Sequence, residues 1–180
     1  MPETTNSSLR QLTQQFGKPG KLEAIYLRQA RGLDCIAAQV TEAIAQKGLA
    51  GDRFSKTPSR NPLGSNRQVT LIQAEHVAVI SAFIGAPVDA AKLRRNLVVS
   101  GINLLAAKSL FKNQVMQIKI GEVILQVTGL CEPCSKMETT LGQGGYNAMR
   151  GHGGVNAKII QGGMLKIGDA VSCVPIPIEK

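Results

Sequence analysis

The sequence predicts an α+β fold rich in β-structure: a closed or half-closed barrel-like domain with flanking helices. Three observations carry that expectation. Short apolar segments of strand length recur along the chain. Two pairs of them flank short links containing glycine, Gly121-Glu122 and Gly162-Gly163, which makes the hairpins local. No regular strand–helix alternation and no repeat of 20–50 residues is present.

Taken in order, residues 1–19 form a polar lead rich in Thr, Ser, Gln and Asn, closed by Lys18-Pro19-Gly20. They read as a flexible arm with helical character near Leu9–Gln15. Lys21–Leu27 reads as the first strand, and Gln39–Gln46 fits helix or strand equally. Residues 55–66 are a loop by composition, of a length that often serves as a lid or binding loop and equally as a plain surface excursion.

Gln68–Ile72 is the next strand. Ala74–Ile84 is the clear helix, with Val77, Ile80 and Ile84 on one face, Gly85 past its end and Pro87 beyond. Leu97–Val99 is a short strand. Val115–Ile120 and Val123–Thr128 flank Gly121-Glu122 as a hairpin with a Gly-first turn. Ala157–Ile160 and Met164–Ile167 flank Gly162-Gly163 in the same pattern, and Ala170–Pro175 closes the chain.

Composition narrows the classes. The chain has 180 residues, 43% hydrophobic and 18% charged, which suits one globular domain. No apolar run approaches the roughly 20 residues of a membrane helix, and the polar start lacks the apolar stretch of a secretory signal. A cytoplasmic location with no membrane partner is the default expectation. Twenty-one Lys and Arg against twelve Asp and Glu give a net charge of +9, which calls for an anionic partner. With no Trp, two Tyr and four Phe, the chain has few stacking platforms, so nucleic acid is a poor candidate.

The densest stretch is 129–154, GLCEPCSKMETTLGQGGYNAMRGHGG. Its Cys131-Glu-Pro-Cys134 supports several readings. Structural zinc needs four ligands, and only one pair is present, with His152 eighteen residues on. A thioredoxin-like redox pair belongs early in a βαβ unit, whereas this pair follows hairpins. A single nucleophilic or metal-ligating thiolate fits Cys134 at the start of a helix over Ser135–Leu141, beside Lys136, with Cys131 as a neighbouring or resolving thiol. Two small buried residues is the plain alternative.

The glycines that follow, Gly144 and Gly145 among them, allow backbone to approach a ligand, and their N–H groups can form an anion nest. Plain turns use glycine as densely. Arg150 and His152 would add charge-assisted bonds. Arg53, Arg67, Arg94 and Arg95 stand at strand ends, where their forked donors suit phosphate or carboxylate. A solvated basic face is the competing reading.

The order of these motifs resembles a known family. Gly48-Leu-Ala-Gly-Asp-Arg53, Arg67-Gln-Val-Thr-Leu-Ile72, Leu93-Arg-Arg-Asn-Leu-Val-Val99 and Gly101-Ile-Asn-Leu104 are similar to the MOSC domain, the molybdenum cofactor sulfurase C-terminal domain. Gly129-Leu-Cys-Glu-Pro-Cys134 and the run from Gly144 to Gly154 resemble its short stand-alone bacterial members. The resemblance implies a MOSC domain over 20–175, between the arm 1–19 and a tail 176–180.

It further implies binding of the molybdenum–molybdopterin cofactor. Cys134 would act as persulfide carrier or molybdenum ligand, and Arg53, Arg67, Arg94, Arg95, Asn96, Arg150 and His152 would stand at the cofactor. A sulfur carrier would need a partner such as a cysteine desulfurase or a recipient molybdoenzyme, since 180 residues leave no room for a pyridoxal-phosphate domain. The alternative activity, reduction of N-hydroxylated substrates, would need an external reductase. A bare anion or nucleic-acid binding module is the minor alternative.

Overall fold

The structure is a computed structural model that describes residues 8–56, 61 and 64–176. The readings made for residues 1–7, 57–60, 62–63 and 177–180 lie outside the described residues. A short helix α1 (Leu9–Leu12) is capped reciprocally by Ser8 and Gln11. It is tied down far along the chain. Arg10 bonds the Asn113 side chain at 2.8 Å and lies over the Phe111 ring, and Gln114 donates to the Arg10 carbonyl. From Ser8 onward the lead is therefore docked.

The strands and remaining α-helices are β1 (Gly20–Arg28), β2 (Cys35–Ala38), β3 (Val40–Ile44), β4 (Gly48–Leu49), α2 (Arg53–Lys56), β5 (Val69–Gln73), α3 (Ala74–Ile84), β6 (Leu97–Ser100), β7 (Met116–Ile120), β8 (Val123–Leu130), α4 (Lys136–Leu141), α5 (Gly145–Met149), β9 (Val155–Gln161), β10 (Gly163–Lys166) and β11 (Ala170–Pro175), with 3-10 turns at Ala90–Leu93 and Leu104–Ala107. Seven strands close a ring in the order β11-β7-β8-β9-β5-β6-β1, and Gly20 opposite Val171 seals it. Neighbours are antiparallel except β5 and β6, which α3 joins as a crossover. Strand β1 is long enough to serve two neighbours on one edge: its start pairs β11 and its end pairs β2.

Alternation along β5 and β6 explains both cores. Val69, Leu71, Leu97 and Val99 point into the barrel. Ile72 and Val98 point outward and pack with Ile80, Leu93, Met137, Ala148 and Met149 beneath α3, α4 and α5. These strands are covered on both faces, so Leu97–Val99 of β6 reads as an apolar run and β5 as one interrupted by the buried Thr70. Helix α3 places Ile80 fully inside with Val77 and Ile84 half-buried beside it, and Gly85 ends it in the left-handed conformation at φ 75°.

The turn between β7 and β8 has the expected Gly-first form, with Gly121 at φ 57° and Ile120 opposite Val123. The second expected hairpin does not form. Strand β9 lies between β5 and β8, while β10 leaves the barrel and pairs β3. Gly162 packs so closely on β3 that an added Cβ would lie 2.5 Å from the Ala43 carbonyl, so the Gly162-Gly163 step redirects the chain into the small sheet β10-β3-β4. A glycine pair marks a sharp change of direction as readily as a hairpin, and sequence alone does not separate the two.

Candidate functional site

One end of the barrel gathers the ends of β1, β4 and β8 and the starts of β5, β6 and β9. Antiparallel pairing of β1 with β6 places Arg28 beside the Arg94–Asn96 approach. Pairing of β8 with β9 places Cys131 beside Gly153 and Gly154, and the Cys131 N–H donates to the Gly154 carbonyl at 2.8 Å.

Arg28, Asp52 and Asn96 form the floor. The Arg28 Nε and Nη2 meet the two Asp52 oxygens at 2.9 and 3.3 Å. Asn96 donates to Asp52 Oδ2 at 2.8 Å and to the Tyr26 carbonyl. Its amide oxygen accepts from Arg28 and from the Thr70 N–H and hydroxyl. Asn96 is fully buried and its polar atoms are all engaged within the protein. It fixes the other groups in place and does not line the cavity. Burial alone would raise the Asp52 carboxyl, but the hydrogen bonds from Arg28 and from the Phe54 N–H outweigh it and hold Asp52 below the usual range.

Arg95 is also buried, and its fork is engaged by three carbonyls. Nε reaches Gly153 O at 2.7 Å, Nη1 reaches Leu93 O at 2.8 Å and Nη2 reaches Cys131 O at 2.8 Å. One side chain thus fixes the loop carrying the cysteines against the loop entering β9.

Above this floor lies a cavity of about 380 Å³, within the roughly 300–1,000 Å³ of small-molecule sites. Arg53, Arg67, Arg94 and Arg95 line it, joined by Arg28, Arg31 and Lys136. Seven cationic side chains thus face one carboxylate, Glu132. Burial, then the facing Arg28 and Arg31, push Arg53 down from its ordinary value. Such crowding of like charge produces a strong positive potential.

The two cysteines of the pair part company here. Cys134 is exposed and lines the cavity. Cys131 is buried at 1% exposure, and its sulfur takes a 3.6 Å contact from Arg67 Nη2. All four cysteines are free thiols. Cys134 immediately precedes α4, its carbonyl accepting the Met137 N–H.

Other sequence-derived candidates lie elsewhere. The Gly144 and Tyr146 N–H groups point at the Glu138 carboxylate, at 2.7 and 2.9 Å, so the expected anion nest is filled by the chain's own side chain. Those bonds hold Glu138 below the usual carboxylate range. Gly145 is buried, where an added Cβ would lie 2.6 Å from the Leu141 Cβ; it lets α5 approach α4. His152 packs edge-on against His76 on α3, with centroids 4.9 Å apart, and beside Phe83. Arg150 is exposed, and neither Arg150 nor His152 lines the cavity. Arg28 and Arg31 were absent from the sequence-derived set. A strand-end position was the available signal for Arg28, and Arg31 carried none.

The MOSC domain model matches residues 58–172, more than half of the chain. The protein belongs to the MOSC domain family. That family is associated with the molybdenum cofactor. No curated protein matches the sequence. Solved structures show the same fold. The YUAD protein from Bacillus subtilis has a TM-score of 0.68 at 19% identity, over 89% of this chain and 98% of that one. YiiM from Geobacillus stearothermophilus has a TM-score of 0.64 at 15% identity, over 88% of this chain and 76% of that one. YiiM from Escherichia coli has a TM-score of 0.58 at 16% identity, over 88% and 72%. At these identities the likeness is one of fold.

The cavity of this MOSC domain has the donor set a phosphate-bearing cofactor needs: forked cations and an accessible thiol. Among the described residues no group of three His, Cys, Asp or Glu side chains could hold a metal ion. No helix among the described residues is long and apolar enough to cross a membrane.

Proposed function

We propose that this MOSC protein binds the molybdenum cofactor in the arginine-lined cavity, with Cys134 presenting its sulfur to the metal. The observation that carries this reading is the shared cavity: the exposed thiol of the Cys131–Cys134 pair opens onto seven cationic side chains.

Arg31, Arg67, Arg94 and Lys136 would hold the anionic phosphate end by charge-assisted hydrogen bonds. Arg53 would add to the same field, which draws an anion in. Arg28 is already neutralised by Asp52 and serves the floor. Arg95 holds the loop from which Cys134 projects. When bound, the cofactor supplies the metal centre. The chain's own task is to orient it, offer one thiolate and keep that thiolate apart from the buried Cys131.

The test is purification from a molybdenum-competent host, followed by oxidative release of pterin and molybdenum analysis. Pterin and molybdenum near one per chain are expected. Cys134→Ala should lose molybdenum while keeping the thermal midpoint of the cofactor-free wild type, and Cys131→Ala should retain molybdenum. A chain that holds neither pterin nor metal would overturn stable cofactor binding. If that chain carries sulfane sulfur on Cys134, the same thiol is a persulfide carrier fed by a partner desulfurase.

A further inference from the structure

A second and larger cavity, about 510 Å³, opens beside the first. The two share Gly32, Arg94 and Lys136 as a common wall. Their chemistry differs. The first is almost uniformly cationic, whereas the second sets Lys92, Arg94 and Lys136 against Asp34 and Asp89, with Cys35 in its lining.

The wall is built with care. Arg94 adopts the left-handed conformation at φ 59° and ψ 32°, one that residues with a side chain seldom take. Its Nη1 donates to the Leu33 carbonyl at 2.6 Å. That bond joins the β6 approach to the β1–β2 connection, which carries Asp34 and leads into Cys35 at the start of β2. Asp89 is fixed as well, since its Oδ1 accepts the Ala91 N–H at 2.9 Å. One cation and one carboxylate of the second cavity, Arg94 and Asp89, are therefore held in place.

We propose that the second cavity is the site for a small zwitterion. Its carboxylate faces Lys92, Arg94 and Lys136, and its ammonium or amidinium group faces Asp34 and Asp89. A uniformly anionic ligand would leave both aspartates facing like charge, and a cationic one would do the same to the three basic groups. The common wall places this molecule next to the group held at Cys134, as the small reactant of the chemistry done there. That last step rests on the cofactor reading above; the binding site itself does not.

Cys35 is a native reporter. It is half-buried, and burial pushes its thiol up from the ordinary value, so iodoacetamide labelling is run above the usual thiol range of about 8.5, at about pH 9. Cys35 and Cys134 are read separately by peptide mass spectrometry. The probes are L-norleucine, hexanoate and pentylamine, which share one alkyl chain and differ in charged groups. L-Norleucine at about ten times its Kd should slow Cys35 labelling about tenfold, and the two singly charged probes should have little effect.

Lys92→Glu should abolish that protection and leave pterin and molybdenum content unchanged. Calorimetry with L-norleucine on the wild type and Lys92→Glu reads the same contrast without labelling. Equal protection by hexanoate, or no heat and no protection with L-norleucine, overturns the proposal. Protection of Cys35 in a chain that holds no pterin or molybdenum would overturn the cofactor reading alone and leave the zwitterion site standing.

Discussion

The Arg95 guanidinium donates to the Cys131 carbonyl at 2.8 Å, which makes a buried cation the fastener of the cysteine loop. The same fork holds Gly153 and Leu93. A buried backbone carbonyl left without a donor costs about 1–3 kcal/mol.

Arg95→Lys should therefore be severe although it keeps the charge. An ammonium is a point donor without the planar fork, and at least one of the three carbonyls loses its partner. A loss of about 2–4 kcal/mol is expected in urea unfolding, together with faster alkylation of Cys131 as its loop loosens. A lysine variant within about 0.5 kcal/mol of the wild type would show that charge alone matters.

Asp52 predicts an acid limb. Its carboxyl is held below the usual range despite the opposing effect of burial. A depressed folded-state value means that the unfolded chain binds the proton more readily, so this contribution is present above the unfolded value near about 4 and is lost as pH falls through the folded value. Asp52→Asn should remove that pH dependence. It also strands the Arg28 charge at 4% exposure, so a loss of about 3–5 kcal/mol is expected at neutral pH. Urea midpoints measured from about pH 6 down to pH 3 check both effects; a variant with the same acid limb as the wild type would move its origin elsewhere.

Gly154→Ala should be among the most damaging small substitutions. Gly154 has φ 85°, and an added Cβ would run into the Leu71 carbonyl. The backbone is closed from both sides: the conformation disfavours a side chain, and β5 lies where that side chain would go. Because that carbonyl belongs to a barrel strand, it cannot shift cheaply, and a cost above about 2 kcal/mol is expected. Gly144→Ala is the control, since it too has positive φ but nothing within 4 Å of the added Cβ. It should cost only the conformational term of about 1 kcal/mol. Equal losses for the two variants would remove the steric argument.

These glycines also show what the sequence could and could not disclose. Strand segments of β1, β5, β6, β7, β8 and β11 were legible because apolar runs and a two-residue Gly turn are local signals. Ring closure was not, since Gly20 opposite Val171 joins residues about 150 apart. The Gly162-Gly163 step mimicked a hairpin because a redirected chain and a reversed one need the same backbone freedom. At the site, Arg67, Arg94, Arg95 and Cys134 came together as lining of one cavity. The roles of Arg95 and Asn96 were hidden, since residue type does not reveal whether a donor faces a ligand or a carbonyl of its own chain. The nest at Gly144 failed as a ligand site for a similar reason: Glu138, six residues earlier, fills it.

Three of the four thiols, Cys131, Cys134 and Cys173, should separate by reactivity. Cys134 is exposed, Cys131 is 1% exposed and Cys173 is 7% exposed. Burial pushes the Cys173 thiol up to about 12, so near pH 8 only about one in ten thousand is ionised, and the thiolate is the reactive form. Iodoacetamide should label Cys134 first and Cys173 more slowly by at least about a hundredfold. Cys173 labelling should also keep rising about tenfold per pH unit through pH 10, since its thiol is still far from half-ionised there. Inorganic phosphate, drawn to the cations around Cys134, should slow that residue's labelling at low ionic strength and release it as salt screens the cavity. Labelling of Cys131 ahead of Cys134 would contradict the burial that separates the pair and would reassign the reactive thiol.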